Sequence, residues 1–453
     1  MTAASTADST PTDGNRKRDF RLYWIAGAVD QLGSQTSGIV FPLVTLAITG
    51  SPAAAGLVGA LALAGRLVAA PAAGVLADRL PRKRMMVASL LLAAATMAVL
   101  FVSVASGTAT LVVLAAAAFV EGLAQSGYEA AGAGSIRRVL PADDKKALSR
   151  LEARNHAVQI VGPVFGGALY QIGRWVPFLV DAVSYVVSAF LVSAIRTDLT
   201  PDRAERTSFL TDLRDGLRFV WRQPFLRFVT IWAAGINFTF GALIYYAILT
   251  AGQQGAAASS IGLVLTVASV GGLTGALLAP AVFSRVRPMT VIVVASWAMV
   301  ALVAAMSQAR QTWTYGLLFG LVFLLSPLLG VIFQSRVIAL TPDELQGRVG
   351  TVMGTAGEVL QTPAPLLAGL LVAWYSPTAV ALIFAAALAG LAVYTTVNLR
   401  QLRAGAEDPP DDATPTEPDA TPTEPDATPT EPDATPTEPD ATPTEPVAEE
   451  ARR

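Results

Sequence analysis

The stretch Gly74-Val75-Leu76-Ala77-Asp78-Arg79-Leu80-Pro81-Arg82-Lys83-Arg84 joins two long apolar runs, and reading it decides what kind of chain this is. The run before it covers about 55–77 and the run after it about 85–106. About 20 apolar residues in a helix suffice to cross a bilayer core. So short a connection must hold its acid and its cations together at one membrane face. Gly74 lets neighbouring helices approach closely. Asp78 ends its helix, where the dipole disfavours an anion, so some other group has to compensate it.

Composition agrees with a membrane chain. The 453 residues are 53% hydrophobic and only 15% charged, against roughly a quarter charged in soluble domains. Mean hydropathy is +0.51. Net charge is −2 because an acidic C-terminal segment offsets a basic surface elsewhere. With no cysteine there is no disulfide framework, thiolate nucleophile or cysteine metal site. The first 19 residues are polar and lack an apolar core, so they do not read as a cleavable signal peptide.

Apolar runs and their breaks predict twelve spans, at about 21–49, 54–77, 84–106, 108–138, 147–173, 175–196, 225–250, 258–283, 289–308, 311–339, 345–374 and 377–399. Cations orient them. One set of connections holds Arg79, Arg82, Lys83 and Arg84; then Arg137, Arg138, Lys145 and Lys146; then 197–224, Arg285 with Arg287, and Arg336 with Arg348. The other set has only Arg174 and Arg310. Both termini and the basic loops are therefore expected in the cytoplasm. The long connection divides the spans six and six, and Phe209 to Trp221 suits an amphipathic surface helix.

The halves echo each other. Pro141 precedes Pro163 by 22 residues, and Pro342 precedes Pro363 by 21. The expected organisation is a disordered terminus at 1–19, a six-helix half at 20–196, a linker at 197–224, a second half at 225–400 and a disordered tail at 401–453. In that tail Asp-Ala-Thr-Pro-Thr-Glu-Pro repeats five times from Asp412 to Pro446. Frequent Pro and few apolar residues favour a solvated, extended chain with no partner evident.

Ionisable residues inside spans are costly and mark candidate sites. Glu121, Gln125 and Glu129 recur every four residues, on one helix face. Asp30, Ser34 and Ser37 form a similar stripe. Glu358 sits beside Gln361, Thr362, Pro363 and Pro365, and Arg66 lies within the second span. Glu129, Asp30 and Glu358 are the candidates for carrying a proton or a substrate cation. The plainer reading is a static pair of Arg66 with Asp30 or Glu121. His156 reads as a satisfied interhelical histidine. Trp232, Phe238, Phe240, Tyr245 and Tyr246 make the seventh span aromatic, for a pocket or for helix packing. In Val161-Gly162-Pro163-Val164-Phe165-Gly166-Gly167, Pro163 bends the fifth span and the glycines permit tight packing.

Across about 20–400 the chain resembles the major facilitator superfamily, in the branch of enterobactin-type exporters and macrolide efflux proteins. The residues carrying the resemblance are Phe20-Arg21-Leu22-Tyr23-Trp24-Ile25, Gly74 to Arg84, Arg137-Arg138-Val139-Leu140-Pro141, Gly162 to Gly167, Phe178-Leu179-Val180-Asp181-Ala182-Val183-Ser184, and Leu345-Gln346-Gly347-Arg348-Val349. It implies an all-α polytopic membrane protein of twelve transmembrane helices in two pseudo-symmetric six-helix halves. Gly74, Asp78, Arg79, Arg82 and Arg84 become a cytoplasmic gate. Asp78 would dock on the N-terminus of the eleventh span, with Thr341 as N-cap, Pro342 at N1 and Glu344 completing a capping box. Gly162, Pro163, Gly166 and Gly167 resemble the antiporter motif of exporters, although Ala157 stands where that motif usually starts with Gly. The Asp181 segment looks structural. Arg66, Glu129 and Glu358 are less usual for the branch.

The resemblance implies proton-coupled export of a small organic molecule (a drug, a siderophore or a self-made metabolite) across a bacterial cytoplasmic membrane. The partners expected are that substrate, protons and membrane lipid, with no nucleic acid, cofactor or metal, and no enzymatic activity. Uptake by symport and a non-transporting receptor are the alternatives. ATP-driven export is disfavoured because no Gly-x-x-x-x-Gly-Lys-Ser/Thr loop occurs.

Overall fold

A computed structural model of the chain describes residues 13–141, 144, 146–200, 209–309 and 311–398. The repeat tail, Lys145 and Arg310 lie outside the described residues. The described residues all fall in one compact unit, within Met1–Ala406. Among these there are fourteen helices and no strand. The N-terminal half holds α1 (Asp13–Thr49), α2 (Pro52–Arg79), α3 (Arg82–Ala105), α4 (Leu111–Val139), α5 (Ala147–Ile172) and α6 (Val176–Ser193). A short α7 (Phe209–Arg222) follows. The C-terminal half holds α8 (Pro224–Gln253), α9 (Ala258–Phe283), α10 (Pro288–Met306), α11 (Thr312–Leu340), α12 (Asp343–Gln361), α13 (Ala364–Trp374) and α14 (Pro377–Val397).

Local chemistry sets these boundaries. Ser51, Thr110 and Ser376 each accept a backbone N–H three residues on, and Pro52 and Pro377 open their helices. Gly50 and Gly107 take φ of 66° and 72°, where L side chains are strained, and so close two tight turns. In the expected eleventh span the helix stops at Gln361 and restarts at Ala364, flanking Pro363, which has no N–H to give to the ladder. By contrast α5 runs unbroken through Pro163.

Eleven segments are long and apolar enough to cross a membrane, with α12 and α13 together making one. The expected fifth span, α5, is missing from them. Its first turns carry Arg150, Glu152, Arg154 and His156, polar residues that lower its hydropathy. It packs on α1 and α9. Helix α7 forms as expected and lies on α12, where Gly216 meets the Arg348 carbonyl.

The terminus departs from expectation. Helix α1 begins at Asp13, so 13–19 are helical rather than part of a disordered segment. Asp19 is the cause: its fully buried carboxylate accepts Arg196 N–H (3.0 Å), Thr197 N–H (2.7 Å) and the Thr197 hydroxyl (2.8 Å). Lys83 and Arg18 donate to the Ile195 and Ala194 carbonyls beside it, compensating the C-terminal dipole of α6.

The halves repeat one packing scheme. Contacts α2–α4, α3–α6, α3–α4, α1–α5 and α1–α6 recur as α9–α11, α10–α14, α10–α11, α8–α12 and α8–α14. Glycines set the closest of them: Gly65 and Gly122 meet carbonyls of Phe119 and Ala62, and Gly271 and Gly275 meet those of Gly320 and Leu324. Each half has its own core, around Phe178, Tyr185 and Met97 in the first and around Phe228, Phe319 and Phe384 in the second. Trp175, Trp313, Trp374 and Tyr375 are exposed at the end opposite the basic loops, as an interfacial aromatic belt would be.

Candidate functional site

The two halves meet tightly at the end opposite the basic loops. The second half of α5 lies on the start of α9, with Gly167 against the Ala258 carbonyl and Gly262 against that of Pro163. The Thr266 hydroxyl crosses the same seam to the Ile160 carbonyl at 2.6 Å. A matching seam joins the start of α2 to α13, where Gly56 meets the Pro365 carbonyl and Gly369 that of Pro52. Gly162 and Gly166 press instead on Gln35 and Thr36 of α1. The Gly162 to Gly167 motif is therefore a backbone contact surface, and any Cβ there would part the helices.

The basic end is open. Gly74 of α2 and Gly347, Gly350 and Gly354 of α12 face space, with nothing within 4 Å of where a Cβ would stand. The close approach expected at Gly74 is not made in this arrangement. Nor is the docking of Asp78 on α12: its side chain is 70% exposed and pairs with Arg82 at 3.6 Å, one turn on in sequence. Arg82 also donates to the Gly134 and Ala77 carbonyls, tying the loop to α4. The expected cap of α12 needs correction too. The Thr341 hydroxyl donates back to the Val337 carbonyl, Pro342 is the N-cap, and no side chain caps the helix. Thr341 is the C-cap of α11, its hydroxyl bonded back into that helix, so it ends α11 rather than starting α12. The first N–H groups of α12 are thus left without a side-chain partner.

Between the seams and the open end lies a polar cleft in the first half. The stripes on α1 and α4 do meet. Gln125 donates to the Ser34 hydroxyl at 3.2 Å, and Ser34 contacts the Tyr185 hydroxyl, also at 3.2 Å. Tyr185 donates to Glu121 at 3.2 Å. On the same α6, Asp181 accepts from Ser37 and Ser184, consistent with a structural role. Tyr185 is fully buried and joins both stripes; sequence reading missed it, because one tyrosine in an apolar span has no period to betray it.

Asp30 is 1% exposed and its Oδ1 has no hydrogen-bond partner. Arg66 pairs neither with Asp30 nor with Glu121, as the plainer reading expected, but with Glu129 at 2.9 Å. Glu129 lies two helical turns beyond Glu121, level with the reach of Arg66. This pair is half exposed in the opening, at 40% and 47%. Glu358, also exposed, stands on α12 within electrostatic reach of Glu129 from the other half. It lies one turn before the break between α12 and α13, and its carbonyl takes the Thr362 hydroxyl at 2.8 Å. His156 is exposed rather than held between helices.

The aromatic residues of α8 divide. Trp232 packs edge-on against Phe333, and Tyr246 against Phe384, within the second core. Phe240 stacks on Phe323, while the Tyr245 phenol crosses to Gly59 of α2. No His/Cys/Asp/Glu cluster among the described residues could hold a metal ion.

Known proteins share this fold. A family model described as Major Facilitator Superfamily matches residues 23–362. The multidrug efflux pump Tap of Mycolicibacterium fortuitum is 27% identical over 409 residues, covering 86% of this chain and 98% of its own. Among solved structures, the nucleoside transporter NupG superposes with a TM-score of 0.67 at 12% identity, over 85% of this chain and 99% of that one. A bacterial homologue of the iron transporter ferroportin, in an inward-facing state, gives 0.68 at 15% identity, over 84% and 98%. The chain belongs to the Major Facilitator Superfamily, and it is a multi-pass membrane transporter rather than an enzyme.

Proposed function

We propose that this superfamily member is a proton-driven exporter of a small organic molecule, standing with its cytoplasmic end open. The basic loops and both termini face the cytoplasm of a bacterium, following the cation bias of the loops. The observation that carries the reading is the asymmetry of closure. Two glycine seams hold one end shut, while Asp78, Gly74 and the uncapped start of α12 stand apart at the other. Rocking one half against the other would part the seams and bring Gly74 toward Gly347, Gly350 and Gly354. Asp78 would then reach the free N–H groups of α12, a site suited to an anion. Arg79 and Arg84 flank that contact, and Arg82 keeps the loop on α4.

The similarity to a pump described as a multidrug efflux protein, across nearly the whole of both chains, supports the outward direction. Among the acids, Asp30 suits the proton carrier. Its buried carboxyl has no hydrogen-bond partner at Oδ1, whereas the unpartnered Oδ1 of the structural Asp19 faces Arg18 at 3.9 Å. Glu129 and Glu358 face the opening from opposite halves and suit contact with substrate, Arg66 neutralising Glu129 until substrate arrives. Glu121 and Gln125, tied through Tyr185 and Ser34, keep the cleft in shape.

The test is growth inhibition by an antibiotic, dye and siderophore panel in an efflux-deficient bacterial host, comparing wild type with Asp78→Asn at matched membrane abundance. Resistance that the variant loses supports export and names a substrate class. Sensitisation by the wild type would point to uptake instead.

A further inference from the structure

Helix α7 presents an exposed flank beside the face that packs on α12. The packed face is Leu213, Gly216 and Val220, at the three- and four-residue spacing of one helix side. Gly216 lies so close to the Arg348 carbonyl that a Cβ would stand 2.7 Å from it, and Asp215 pairs with Arg348 at 3.5 Å. Next round the helix come Leu217 and Trp221, one turn apart and 47% and 53% exposed. Beyond them Arg214, Arg218 and Arg222 form a line of exposed cations, each one turn from the last.

The order round α7 is therefore packed face, apolar strip, cation line. In water the apolar strip would be a cost without return. At a membrane surface it sinks to the acyl boundary while the neighbouring cations meet the headgroups. Connectivity fixes the depth. Only Gln223 separates α7 from α8, which is long and apolar enough to span the membrane. Two peptide steps of about 3.8 Å each thus tie Arg222 to the start of a span. Trp221 is held at the interface, where tryptophan is favoured.

We propose that α7 is a docking surface for anionic phospholipid, with Leu217 and Trp221 in the acyl boundary and Arg214, Arg218 and Arg222 on the headgroup phosphates. A zwitterionic headgroup carries its own cation and gains less from the arginine line. Asp215, the acid beside that line, is engaged by Arg348. The leaflet is the cytoplasmic one, the only part of the inference that rests on the orientation proposed above.

The experiment uses the full chain in nanodiscs of phosphatidylcholine with a one-fifth share of phosphatidylglycerol. Bromine, which quenches nearby indoles, is placed near the headgroup end of the acyl chains, on the phosphatidylglycerol or on an equal amount of the phosphatidylcholine. The chain has seven tryptophans, so the difference between wild type and Trp221→Phe isolates Trp221. The expected result is that Trp221 selects phosphatidylglycerol about fivefold, the scale of one basic residue at an anionic surface. That preference should fall as salt is raised. Replacing all three cations (Arg214→Gln, Arg218→Gln and Arg222→Gln) should abolish the preference and leave both lipids quenching alike. Equal quenching by the two lipids in the wild type would overturn the anionic preference, and a preference kept by the triple variant would overturn its assignment to these arginines. No quenching of Trp221 by either lipid would overturn the membrane contact and make the flank a protein-binding face. Both faces of the disc carry the same lipid, so no outcome depends on the direction of transport.

Discussion

Two carboxylates, Asp19 beyond the end of α6 and Glu129 on α4, separate stability from transport. Asp19 is fully buried and accepts three hydrogen bonds, so Asp19→Ala should cost about 2–4 kcal/mol. The loss would appear as a lower melting temperature of the detergent-purified protein. Glu129 is half exposed and its pair with Arg66 is worth at most about 1 kcal/mol. Glu129→Gln should therefore melt almost as the wild type does, yet fail to confer resistance. A large drop in melting temperature would make it a structural pair instead. At this scale the sequence was partly legible. Asp30, Glu121 and Glu129 announced themselves as ionisable groups in apolar spans, and the four-residue period placed Gln125 with them. The partners were not legible, because a spacing says which face a residue occupies and nothing of which face another helix presents to it. Arg66 accordingly found Glu129, and Asp19 was read as tail when it pins the end of α6.

Helices meet here through glycine, and that gives the clearest prediction about elements. Gly262→Val puts a branched side chain against the Pro163 carbonyl and should keep the α5–α9 seam from closing. Gly369→Val should act alike at the mirrored α2–α13 seam. The chain has no cysteine, so a single one introduced at Ala53 is the only thiol to label. In either valine variant its labelling by a membrane-impermeant maleimide should rise several-fold; unchanged labelling would mean the seams are not what seals that end. The Gly-Pro motif of α5 was visible in sequence, but its partner α9 was not, since no local pattern records a contact 100 residues away. The break at Pro363 and the run through Pro163 teach the same point. Both prolines lack an N–H, yet one helix stops at its proline and the other runs on, so the residue type alone does not fix the outcome.

Across the whole molecule, the six-plus-six build was legible because it rests on hydrophobic length and loop charge, both of which sequence records. Which end stands open was not, since one sequence serves every state of a rocking transporter. The open end yields a distance prediction. Spin labels at Leu80→Cys, just past α2, and at Glu344→Cys on α12, both at the basic end, should give a long and a short population in nanodiscs. Asp78→Asn should deplete the short one, by removing the anion that docks on α12. A single distance indifferent to Asp78 would leave that residue a topology signal and nothing more.

The most direct test of the account is efflux from cells preloaded with a compound to which the protein confers resistance, followed before and after a protonophore. The account predicts rapid export from wild-type cells that stops when the proton gradient collapses, and none beyond background from Asp30→Asn at equal membrane abundance. Export that continues unchanged after collapse, or that survives intact in Asp30→Asn, would contradict proton-driven transport through this cleft.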